Sequence, residues 1–322
     1  MIAQLHHLLS QSAGWVDVLK DESSTPDQVP PVLTTTFIAY WLNCNDFEEW
    51  RQEILKPFWD GLPDDAGVWR EIMTVPKSRH LYSTSQPVAT GIASMVGLTV
   101  SSDMGYWGVY RHRIAQNKDQ YTDPSDKFSS PYASKPSSKA GDGKKLVNLE
   151  TSYPNTIRRG QFKISKIPED FCFVREMQSL LGASEEELQN WRDTLKPPFR
   201  SWVDHLATER NKNGIVSFST HLAQQSHHGQ DCSSEASDSI LPEAHQLLYC
   251  LDLADFELSG RSFKEHIALR NATMTLYGPG GRFFGRSKLH LVVEVSVLKS
   301  TDLEAEYIGC REGTRLRILE DQ

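Results

Sequence analysis

Cysteine is scarce in this 322-residue chain. There are five, Cys44, Cys172, Cys232, Cys250 and Cys310, widely scattered and with no Cys-x-x-Cys pair. An odd, dispersed set does not read as a disulfide framework; it suits reduced thiols in the cytoplasm. Also missing is any apolar stretch near the roughly 18–20 residues that span a bilayer. The N-terminal segment MIAQLHHLLSQSAGWVDVLKDE has no basic leader and no unbroken apolar block. Its leucines recur at helical spacing, which predicts an amphipathic helix and not a signal peptide. No long basic run occurs and the net charge is −8, so neither nucleic acid nor an anionic membrane is an expected partner. What is present is 39% hydrophobic and 24% charged residues, enough core for one large domain or two intimately packed ones.

The two ends of the chain carry a faint repeat. FIAYWLNCNDFEEW, ending at Trp50, matches LLYCLDLADFELS, ending at Ser259. Each reads as a strand with a tyrosine (Tyr40, Tyr249) followed six residues later by Asp-Phe (Asp46-Phe47, Asp255-Phe256). An aspartate there is suited to cap a helix by accepting from its free N–H groups. Further on, WREIMTVPKS from Trp69 matches VVEVSVLKS from Val292 and aligns Glu71 with Glu294. Each half is therefore expected to run strand, helix, strand. The halves are placed at residues 1–117 and 151–322, separated at 118–150 by a Ser-, Lys-, Asp- and Pro-rich surface loop that has little to bury.

Two segments in the second half are well specified. Ser184 with Glu187 forms a capping box, and Leu188, Trp191, Leu195, Trp202 and Leu206 follow at helical spacing. Pro197-Pro198 is expected to kink or interrupt this helix, since proline lacks the backbone donor and clashes with the preceding turn. In KLHLVVEVSVL, alternation puts Leu289, Leu291, Val293, Val295 and Val297 on one face and His290 and Glu294 on the other. The apolar face fits a sheet closing around a core or an apolar cofactor. His227, His228 and Cys232 have no common metal-ligand spacing and lie in a polar stretch, so a solvated loop is expected there. GPGGRFFG, from Gly278, matches neither a phosphate loop nor a dinucleotide fingerprint.

Three blocks resemble the aldoxime dehydratase (haem-containing dehydratase) family: YWGVYRHRI from Tyr106, DFCFVREMQ from Asp170 with GIVS from Gly214, and EVSVLKSTDLEAEYIGC from Glu294. The resemblance implies an α+β fold, the dimeric α+β barrel-like arrangement of two tandem ferredoxin-like halves, and with it a homodimer. It also implies haem b held by a helix histidine, and loss of water from a small-molecule aldoxime, R–CH=N–OH, to give a nitrile. His266, in SFKEHIAL, falls at the family's iron-ligating position. Ser262 and Glu265 are expected to frame the start of its helix, and a neutral imidazole is a sound ligand for haem iron. Arg175 and Ser217 fall on the family's substrate-binding arginine and serine, the donors an N–OH group needs for orientation.

Two departures from the family pattern stand out. The strand that usually reads HEVSVL, with a distal acid/base histidine, here reads VEVSVL, so Val293 occupies that place. Valine carries no proton, whereas such a group typically contributes about 10²–10⁴ in rate. His290 is near in sequence but on the other face unless a bulge turns it inward. At the front, the strand that precedes the first helix in the family is not evident in the sequence. Three readings follow: a haem-dependent lyase acting on aldoximes, the same scaffold acting on another N–O or nitrogen compound, or a non-catalytic haem- or ligand-binding protein.

Overall fold

The structure, a computed structural model, describes residues 1–21, 34–100, 113–114, 156–223 and 243–319. Among the described residues, ten strands form two antiparallel sheets. The strands are β1 (Trp15–Asp21), β2 (Thr35–Tyr40), β3 (Val68–Met73), β4 (His80–Thr84) and β5 (Gln161–Lys163). They continue with β6 (Phe171–Ser179), β7 (Ile215–Ala223), β8 (Ala244–Cys250), β9 (His290–Leu298) and β10 (Leu303–Ile308). The larger, curled sheet runs β2-β1-β7-β8-β6-β9-β4 and the smaller β3-β10-β5. Strands from before residue 118 and after residue 150 therefore share both sheets. Within the second half, β6 to β9 lie in the order β7-β8-β6-β9, with helices between β6 and β7 and between β8 and β9. That is the split β-α-β unit of ferredoxin-like folds.

The helices are α1 (Ile2–Ser10); α2 (Cys44–Trp50), running through a π turn (Arg51–Leu55) into Lys56–Asp60; and α3 (Ala93–Val96). α4 (Glu185–Asn190) likewise runs through a π turn (Trp191–Leu195) into Lys196–Thr208. α5 (Leu253–Ser262) and α6 (Lys264–Tyr277) complete the set among the described residues. Both π turns close on Leu-Lys-Pro, at 55–57 and 195–197. The widened turn absorbs the donor that proline lacks, so α4 resumes at Lys196 instead of ending at Pro197-Pro198. Ser184 caps α4 as expected, accepting from the Glu187 N–H at 3.2 Å.

The N-terminal segment is not one helix. α1 stops at Ser10, and WVDVLKD becomes β1, paired with both β2 and β7. Alternation in this strand is disguised in sequence because one of its two buried positions is the charged Asp17, the other being Leu19. The helix caps also sit one turn earlier than expected: Asn43 and Asp252 are the N-caps, Asp252 accepting from the Asp255 N–H at 2.8 Å.

Two apolar layers flank the large sheet. Its inner face packs Phe171, Phe173, Tyr249 and Leu298 against Leu303, Ala305 and Tyr307 of the small sheet. Its outer face packs Cys172, Val174, Leu248, Val293, Val295 and Val297 against Trp202, Leu206, Leu253 and Phe256 of the helix layer. The repeat is realised inside the protein as a crossed pair of hydrogen bonds. Tyr40 donates to Glu294 at 2.5 Å and Tyr249 donates to Glu71 at 2.8 Å, so each repeat tyrosine holds the other half's glutamate.

A cleft between helix α6 and the outer sheet face

A half-open cleft lies between the outer sheet face and helices α4 and α6. Its wall from the helices is Trp191, Phe199, Trp202, His266 and Leu269; its wall from the sheet includes Glu176, Gln178, Gln246 and Leu291. The register explains the sheet wall. Glu176 pairs with Gln246 on β8 and with Val293 on β9, so these side chains share one face.

His266 is held by the break between two helices. Phe263 is extended (φ −91°, ψ 118°) between α5 and α6 and has no side-chain cap; Ser262 is the last residue of α5 and does not open α6. The break folds the start of α6 against the end of α5, where His266 Nδ1 meets the Gly260 carbonyl at 2.5 Å. A Cβ at residue 260 would lie 3.1 Å from His266 Cε1, which is why glycine suits that position. A nitrogen facing a carbonyl must carry the proton, so the lone pair resides on Nε2. Burial lowers the His266 pKa, with the Gly260 hydrogen bond opposing and Arg270 reinforcing that shift, so the ring is neutral. Trp202 lies against it with ring centroids 4.4 Å apart. A neutral imidazole of fixed tautomer at an aromatic cleft meets the requirements for a single axial ligand to haem iron.

Arg175 and Ser217 are not brought into this cleft. Arg175 shares the inner face with Phe173, and Ser217 pairs with Tyr249 on that face, so the sheet separates both from His266. Arg175, 1% exposed, pairs with Asp17 at 2.7 Å and Glu294 at 3.6 Å and donates to Tyr40 at 2.6 Å. Burial alone would lower its pKa; Asp17, Tyr40 and Glu294 more than offset that and hold it well above the usual value. His245, also against Arg175, is kept low in pKa mainly by burial and pairs with Glu243 at 2.9 Å.

Val293 is fully buried on the outer face, in the apolar cluster that contains Trp202. No bulge interrupts the pairing of β9 with β6, and His290 stays on the other side, its Nε2 2.9 Å from Thr84 Oγ1. Arg113 donates to Ser83 at 3.1 Å, whereas Arg111, His227, His228 and Cys232 lie outside the described residues. The residue missed in sequence is Glu176. It directly follows Arg175, and only the strand register reveals that it, not Arg175, looks toward His266.

A curled antiparallel sheet backed by helices, with one helix histidine presented to a largely apolar cleft, defines the class: an α+β barrel-like protein with a neutral imidazole beside a cleft. Comparison with known proteins agrees. A family model for haem-containing dehydratases matches residues 1–316. The chain is 22% identical over 286 residues to phenylacetaldoxime dehydratase of Bacillus sp. strain OxB-1, covering 86% of this chain and 72% of that protein. It is 21% identical over 285 residues to aliphatic aldoxime dehydratase of Rhodococcus erythropolis, covering 86% and 70%. Among solved structures, aldoxime dehydratase OxdRE in complex with butyraldoxime superposes with a TM-score of 0.71 at 17% identity, covering 98% of this chain and 79% of that one. The chain belongs to the haem-containing dehydratase family, and haem is accordingly its cofactor. Among the described residues, no helix is long and apolar enough to cross a membrane.

Proposed function

We propose that this protein is a haem-dependent lyase that converts an aldoxime to a nitrile and water in the cleft beside His266. The observation that carries the reading is the His266 imidazole, neutral and pinned through Nδ1 to the Gly260 carbonyl, in a chain of the haem-containing dehydratase family. The relatives named for phenylacetaldoxime and for aliphatic aldoximes supply the substrate class. When bound, haem iron supplies an electron-pair acceptor for the oxime nitrogen and weakens its N–O bond. The protein supplies the rest. His266 holds the cofactor, Trp191, Phe199 and Trp202 exclude water, and the Gln178 and Gln246 amides offer donors and acceptors to an N–OH group. Arg175 acts through the strand: its ion pairs fix β6, which carries Glu176 and Gln178. The described cysteines, Cys44, Cys172, Cys250 and Cys310, are free thiols, which supports work in the reducing cytoplasm.

Val293 favours a second reading. A buried valine opposite Glu176, where the family pattern has an acid/base histidine, suits a pocket retuned to a different N–O compound. Both readings are tested by anaerobic incubation of the reduced, haem-loaded protein with butyraldoxime, phenylacetaldoxime and other oximes, following nitrile formation. His266→Ala should lose haem while keeping its fold. Undiminished haem content with an unchanged ferrous spectrum in that variant would remove His266 from the site. Haem retention by the parent protein without nitrile from any aldoxime would shift the assignment to the second reading.

A further inference from the structure

We propose that Glu176 is the proton donor and acceptor of the cleft, protonating the oxime hydroxyl as the N–O bond breaks. This rests on the lyase reading above, and extends it by naming a group that valine at 293 leaves wanting. Glu176 is on β6, on the face that looks across the cleft to His266, directly opposite Val293 and Gln246. Among the described residues its carboxyl has no hydrogen-bond or ion-pair partner, whereas the carboxylates of the inner face, Asp17, Glu71 and Glu294, each have one. An unpaired carboxyl in a partly buried cleft is costly to ionise, and protonation relieves that cost.

The neighbours are consistent with this. The titratable group across the cleft is His266 on α6; Cys250, farther along β8, feels the Glu176 charge and is held well above the usual thiol value mainly by burial. β9 presents Val293 and Leu291 and α4 presents Trp191, Phe199 and Trp202, none of which ionises near neutral pH. Burial alone pushes the Glu176 carboxyl up to about 7, which lets it both give and take a proton at neutral pH. The step balances without any co-reactant. The Glu176 proton goes to the hydroxyl oxygen, the N–O bond breaks and water leaves. The carboxylate then takes the proton from the oxime carbon, and that C–H electron pair becomes the third C–N bond. Glu176 ends as it began.

The test uses the haem-loaded protein, with Glu176→Gln as an isosteric variant and Glu176→Asp as the conservative one. Infrared difference spectroscopy across pH 5–9 should show a carboxyl band titrating near pH 7 that Glu176→Gln lacks, with haem content unchanged. Nitrile formation from butyraldoxime should fall about 100-fold or more in Glu176→Gln and recover in part in Glu176→Asp. A Glu176→Gln variant with the parent rate and pH profile, or a parent protein without that titrating band, overturns the proposal. If the parent makes no nitrile, the lyase reading fails separately. The proposal is then decided by butyraldoxime affinity for the reduced protein: a pH dependence near 7 lost in Glu176→Gln supports it, and identical profiles refute it.

Discussion

The protein contains two buried tyrosine–glutamate–arginine nodes, related by its internal repeat, and they differ in charge. In one, Glu71 accepts from Tyr249 and Tyr307, each at 2.8 Å, and pairs with Arg315 at 3.1 Å. One anion faces one cation, and both oxygens of the carboxylate accept a hydrogen bond. In the other, Arg175 serves two carboxylates, Asp17 and Glu294, with Tyr40 bridging and His245 alongside. That node sets two carboxylates against one guanidinium, with Trp15 Nε1 donating to Asp17 at 2.8 Å and the Ile92 N–H to Glu294 at 3.2 Å. It also joins three distant parts of the chain, β1, β2 and β9, to β6. The first node is a self-sufficient strut; the second is the fastening of the strand that lines the cleft.

The comparison predicts unequal consequences. Arg175→Met should cost about 3–5 kcal/mol, because two buried carboxylates, Asp17 and Glu294, lose the guanidinium they share. Urea unfolding measures it. A variant of unchanged stability that loses only aldoxime affinity would break the comparison and return Arg175 to a substrate-binding role. Next comes a gain. Glu176→Gln should raise stability by up to about 3 kcal/mol above pH 7 and by little below pH 4.5. The sign follows from a carboxyl whose folded pKa, about 7, exceeds its ordinary 4.5: the folded state binds the extra proton, so stability falls as pH rises between those values. Unfolding midpoints at pH 5 and pH 8 would expose it.

Arg315→Met should cost less than the Arg175 variant, about 1–3 kcal/mol, since it leaves a single carboxylate, Glu71, which keeps two tyrosine hydroxyls. Equal losses at the two arginines would show that charge balance does not distinguish the nodes. The smallest effect is expected at Gly260→Ala. The added Cβ would stand 3.1 Å from the His266 ring and displace it by a few tenths of an ångström, weakening haem retention with little change in the unfolding midpoint.

Much of this architecture was legible in the sequence because it is local. The β9 alternation, the Ser184 cap and the strand–helix–strand repeat each depend on residues a few positions apart. β1 was not legible, because a buried Asp17 breaks the apolar alternation that marks a strand. Pro197-Pro198 reads as an interruption because a π turn that accommodates proline has no pattern of its own. The site was only half legible. His266 sits in a recognisable block, but the partners of Arg175 come from residues 17, 40, 245 and 294. No local pattern announces that they converge on the inner face, and so none reveals that the neighbouring Glu176 turns outward to the cleft.

The carbonyl that receives the His266 proton belongs to the last turn of α5, where the helix has no N–H of its own to offer it. The imidazole is thus wired to the negative end of a helix dipole. Electron density is drawn toward Nε2, and any metal there is bound by a more basic donor than an isolated histidine would provide. With His266 as the proposed ligand, substitutions at the end of α5 that never touch the cleft would shift the reduction potential of the cofactor.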